Sequence, residues 1–171
     1  MPAFRYATSQ VAVHWLAALL IVFLLVTGTF VLAELPNTVE KIGNLRIHML
    51  LGAVVGGLVL ARVMMRKRLP SGPAVQGEKL AHLGHLALNL GILLLVASGG
   101  VLALQSGTFD AVFGAGVLPE DFTVFTVRKV HGLLSRLAMA LIAVHVLAAL
   151  YHQLVLKDGL IARMTFGKKS A

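Results

Sequence analysis

Cysteine is absent from the 171 residues, which excludes disulfides, iron–sulfur clusters, thiolate metal ligands and covalent haem attachment through Cys-x-x-Cys-His. Charge is scarce as well. Charged residues make up 13% of the chain, only seven of them acidic, while 58% of residues are apolar, a balance outside the usual range for soluble domains. The acids avoid the long apolar runs, and a channel for divalent cations would need them there. Any redox chemistry must therefore use histidine-held or noncovalent groups.

The chain contains apolar runs of membrane-spanning length and little besides them. They predict an all-α integral membrane four-helix bundle, one domain over 1–171, with spans at about 9–33, 45–65, 79–104 and 127–156. The first run is too long for a secretory leader and has no clear small-x-small exit. Leu35-Pro36-Asn37 reads as a turn, as does Pro70-Ser71-Gly72-Pro73. The glycine-rich stretch from Gln105 to Thr126 is too polar to span and should form a loop with a short interfacial helix around Phe109 to Phe113.

The net charge of +8 follows membrane topology rather than a nucleic-acid surface. Arg5, Arg62, Arg66, Lys67, Arg68, Lys79, Lys157, Arg163, Lys168 and Lys169 fall on one side of a four-span chain, suited to lipid headgroups. Lys41, Arg46, Arg128 and Lys129 fall on the other, with Glu34, Glu40, Asp110, Glu120 and Asp121. By the positive-inside rule both termini are expected in the cytoplasm.

Histidine is what this chain has in an unusual place. His131 and His145 are 14 residues apart on the last span, so they share a helix face about 21 Å apart along the axis. Depth pairs His48 with His131 toward the external side and His14 with His145 toward the cytoplasmic side. Such pairs suit axial ligation of two b haems stacked across a bundle. The same rings could instead be helix-contact donors, and His85 is an alternative ligand to His14. Gly28, Gly52 and Gly99 fall where a flat macrocycle needs room, although small residues also serve ordinary helix packing.

Arg62, 14 residues after His48, could hold a haem propionate or snorkel to headgroups. Arg136 turns away from the haem face and reads as a snorkelling or helix-pairing charge. His152 continues the stripe seven residues beyond His145, where a nonligating ring could hydrogen-bond a quinone and deliver protons, or simply sit at the interface. His82 and His85 could line the same quinone side.

The His14-Trp15 pair, His48, Ala81-His82-Leu83-Gly84-His85, and the His131, His145, His152 series followed by Lys157-Asp158 together resemble the bacterial cytochrome b561 family over nearly the whole chain. The resemblance implies a dihaem protein of the bacterial inner membrane with His14, His48, His131 and His145 as haem ligands. It further implies oxidation of periplasmic superoxide and reduction of ubiquinone, for which Lys41, Arg46, Arg128 and Lys129 would steer the anion. Val130 stands where the resemblance implies an aromatic residue before the first ligand of the last span. The alternative expectation is a haem b relay subunit between quinone and a periplasmic dehydrogenase, hydrogenase or cytochrome.

Overall fold

The computed structural model describes residues 4–69, 72 and 77–166. Pro70, Ser71 and Pro73 of the expected turn, and the tail cations Lys168 and Lys169, lie outside them. The described residues form a helical bundle. Helix α1 is Thr8–Thr27, continued by a π-helical turn at Gly28–Leu32. Helix α2 is Val39–Arg68 and α3 is Glu78–Gln105. The short α4 is Thr108–Phe113, and α5 is Thr126–Tyr151, continued by a second π turn at His152–Leu156. The four long helices, taken with their π turns, have the length and composition to cross a membrane.

The expected spans agree with these helices to within a few residues, except at the start of α2. Helix α2 begins at Val39, six residues before the apolar run at Leu45. Glu40 lies in that first turn, where a carboxylate favours the positive end of the helix dipole. The expected short helix is present as α4. Its Val112 is fully buried, whereas Phe109 and Phe113 are exposed.

Each long helix exposes leucine, valine or phenylalanine along its outer face, as at Leu19, Leu60, Leu94 and Leu147. That surface would be a liability in water but matches lipid, where backbone polar groups are satisfied within the helices. The buried core is correspondingly small. Leu25, Val55, Val59, Ile92 and Ala138 form it, one or two residues from each long helix. Ala138 lies seven residues from both His131 and His145, so this dry layer sits midway between the two histidine levels.

Packing is unequal around the bundle. Helix α3 packs most closely on α5 and α1 on α2, and α2 joins the two pairs through α3. Gly56 allows the α2–α3 approach, since a Cβ there would come within 3.2 Å of Val96 Cγ1. Helix α5 has no comparable backbone packing on α1 or α2. It meets them through histidine side chains, across a seam running the length of the bundle.

The two ends are finished differently. At the α4 end, Lys41 donates to Leu35 O and Asn37 Oδ1, both at 2.8 Å, and Asn37 Nδ2 donates to Glu120 O at 2.9 Å. At the terminal end the chain closes on itself. Trp15 Nε1 donates to Met164 O at 2.8 Å, and Tyr6 N donates to Arg163 O at 3.1 Å.

Candidate haem sites

Every long helix contributes to the α4-end level. His48 comes from α2 and His131 from α5, with ring centroids 6.4 Å apart and planes inclined by 72°. Gly28 of α1 and Gly99 of α3 lie against them. A Cβ on Gly28 would come within 3.1 Å of His48 Cε1, and one on Gly99 within 3.1 Å of His131 Cε1. The glycine spacing predicted room at this depth, and the imidazoles occupy it. Gly52 borders open space instead, with nothing within 4 Å of a built Cβ.

The terminal-end level again draws on all four helices. His14 of α1 and His145 of α5 are 6.4 Å apart between ring centroids, and His85 of α3 is 5.4 Å from His145. Arg62 of α2 lies within electrostatic reach of all three rings. It has no carboxylate partner among the described residues. Arg136 is exposed on α5, as expected for a charge turned away from the seam.

The separations test whether these rings suit a metal macrocycle. A metal–imidazole bond of about 2 Å and a ring radius of about 1.1 Å put the centroids of two rings on opposite sides of one metal about 6.2 Å apart. Both the His48–His131 and His14–His145 pairs have this separation. His85 is too close to His145 for the same trans arrangement, so geometry favours His14 as the partner. The Nδ1 atoms of His14, His48 and His85 are buried without a hydrogen-bond partner, and buried ring nitrogens rarely go unsatisfied unless a further group uses the ring. The donor set therefore fits haem.

The model of the prokaryotic cytochrome b561 family matches residues 5–167. The chain belongs to the prokaryotic cytochrome b561 family. As a b561 chain it is a multi-pass membrane haem cytochrome, and the family binds haem b. It is similar to the probable superoxide oxidase CybB of Yersinia pestis, 28% identical over 170 residues covering 94% of this chain and 95% of that protein. It is also similar to cytochrome b561 homolog 1 of Escherichia coli K12, 27% identical over 175 residues covering 94% and 96%.

The remaining candidates of this b561 chain separate by what they touch. His82 Nε2 accepts from Arg66 at 2.9 Å, which draws His82 toward the basic end of α2. His152 Nδ1 is 2.5 Å from Asp158 Oδ2. That bond holds the Asp158 carboxyl below its ordinary range. Lys41 is buried against the loop with its ammonium 5.5 Å from the Phe122 ring centroid. Arg46 donates through Nε and Nη2 to Val112 O at 3.1 and 2.6 Å, fixing the end of α4. Both cations are thus committed to the loop structure. Arg128 and Lys129 are not bound to any carbonyl or carboxylate among the described residues.

Sequence reasoning missed Ser98, whose hydroxyl lies 3.0 Å from His131 Nδ1. The available signal was a polar residue beside Gly99 in an otherwise apolar stretch. It also missed the Trp15–Met164 contact, whose partners are 149 residues apart.

Proposed function

We propose that this cytochrome holds two b haems, one between His48 and His131 and one between His14 and His145, and oxidises superoxide at the expense of ubiquinone. The observation that carries this reading is the pair of 6.4 Å imidazole separations at two levels of one bundle. Overall, two superoxide anions give two dioxygen molecules, while one ubiquinone takes two electrons and two protons to become ubiquinol. Bound haem b supplies reversible one-electron transfer.

The residues of the chain supply position, charge and protons. The positive-inside rule puts the α4 end in the periplasm and the termini in the cytoplasm of a bacterial inner membrane. Arg128 and Lys129, two and three residues after the first residue of α5, provide the uncommitted positive charge beside His131 and steer a small anion toward that end. Lys41 and Arg46 add to the field from fixed positions. Arg62, with no carboxylate partner among the described residues, supplies a charge-assisted bond to a propionate at the terminal-end level.

At the cytoplasmic edge, Asp158 orients His152 through Nδ1, so its Nε2 is the atom available to a quinone oxygen or its proton. His85 and His82 line the same side. The superoxide assignment is further supported by similarity to a protein named as a probable superoxide oxidase.

A second reading rests on the acids of the α4 end. Asp121 is fully exposed, and hydrogen bonds from Thr123 hold its carboxyl below the ordinary range. With Glu34 and Glu40 it could dock a cationic redox protein, making this chain a relay subunit. Stopped-flow spectroscopy on the purified cytochrome separates the two. A superoxide pulse should reduce the b haems at near-diffusional rate, and added ubiquinone should reoxidise them. Slow reduction by superoxide in a fully loaded protein would sink the oxidase reading.

The ligand assignment has its own test. His131→Ala should abolish the α4-end haem and His145→Ala the other, as read by haem content and separate optical midpoints. His85→Ala should retain both. Loss of a haem in His85→Ala with retention in His14→Ala would reverse their roles.

A further inference from the structure

We infer that Ser98 is a positioning residue for His131: it fixes the ring's tautomer and strengthens it as a metal ligand at the α4 end. This rests on the reading of His131 as a haem ligand and adds a specific asymmetry to it. A serine hydroxyl has one hydrogen and two acceptor lone pairs. That hydrogen goes to Leu95 O, which Ser98 Oγ approaches at 2.8 Å within α3. Oγ is then left to accept at 3.0 Å from His131 Nδ1 in the tautomer that carries its proton there, a tautomer that the nearby Leu95 carbonyl also favours. With Nδ1 protonated, the neutral ring presents its lone pair at Nε2.

The neighbouring residue completes the device. Gly99 leaves the space beside Cε1 and Nδ1 that any side chain would take, a built Cβ lying 3.1 and 3.5 Å from them. Ser98 anchors the ring and Gly99 admits it. His14 and His48, by contrast, have buried Nδ1 atoms with no hydrogen-bond partner among the described residues. Among the proposed ligands, His131 thus has a built protein acceptor that these two lack.

Hydrogen bonding at the distal ring nitrogen makes an imidazole a better electron donor and restricts its rotation. A better donor favours the oxidised metal, so this bond lowers the midpoint potential of the α4-end haem.

The test is a redox titration with low-spin ferric electron paramagnetic resonance on Ser98→Ala, Ser98→Thr and His131→Ala holoproteins. In Ser98→Ala the α4-end midpoint should rise and its low-spin signal should shift or broaden, with the other haem unchanged. Ser98→Thr, which keeps the hydroxyl, should resemble the parent. Selective loss of the α4-end haem in Ser98→Ala, with retention in Ser98→Thr, supports the same role. Unchanged midpoint and signal in Ser98→Ala, or equal disturbance of both haems, overturns it. His131→Ala separates the two levels of failure. If it removes the α4-end haem while Ser98→Ala changes nothing, only the positioning role falls; if it removes neither haem, the ligand reading falls as well.

Discussion

Gly99 has no side chain to lose, yet the His131 ring depends on it. A Cβ 3.1 Å from His131 Cε1 requires the ring to move, and branched carbons would block its place altogether. Gly99→Val should weaken haem binding at the α4 end by roughly ten- to a hundredfold, the range typical of disturbing a ligand's surroundings. Haem content should fall toward half of the parent value. Gly84→Val on the same helix is the control, because a built Cβ there meets nothing within 4 Å. Equal haem loss in both variants would point to general helix damage rather than crowding of the ring. The residue scale also divides the cations of the α4 end. Lys41 and Arg46 cap backbone carbonyls, whereas Arg128 and Lys129 leave their charge to the surroundings.

At the scale of elements, both outer helices change their winding near their ends. The π turns follow α1 and α5 and begin at Gly28 and His152, two positions beside the candidate sites. The second turn ends at Lys157, whose φ of 53° is left-handed, a region that costs a residue with a Cβ roughly 1 kcal/mol. Lys157→Gly should stabilise the protein by about 0.5 to 1 kcal/mol, relieving that strain at some entropic cost in the unfolded chain. Thermal unfolding in detergent should show a rise of a few degrees, and a fall would mean that the lysine makes a contact worth more than the strain. The long helices were legible in the sequence because hydropathy and the 3.6-residue period are local signals. Both histidine levels were legible for the same reason: 14 residues return a side chain to one face. The first turn of α2 was not, because Val39–Asn44 is helical without being apolar. Nor was the burial of Lys41, whose acceptors are loop atoms at Leu35 and Asn37. Ser98 escaped because its partner is on another helix, 33 residues away.

For the whole molecule, charge and closure matter more than any one contact. Reversing Arg128 and Lys129 to glutamate should slow superoxide capture by roughly tenfold at low salt and remove its decline with ionic strength. Stopped-flow traces at several salt concentrations check this, and an unchanged salt dependence would end the steering role. The terminal closure predicts a pH response of definite sign. Asp158 is held below the ordinary carboxylate range by its bond to His152, so its contribution is complete above about pH 4 and disappears as pH falls through the lowered value. The Tyr6 amide, bonded to Arg163 O, should keep its hydrogen-exchange protection factor from pH 8 to pH 5 and lose it only in stronger acid. Loss between pH 7 and pH 5 would transfer control from Asp158 to a histidine. The seam has a consequence in time as well as in space. Each 6.4 Å imidazole pair takes one ring from α5, which is synthesised after the other three long helices among the described residues. A chain halted after α3 therefore contains His14, His48 and His85 but neither pair. On the proposed ligation, such a chain lacks a complete histidine pair for either haem, and cofactor capture waits for α5.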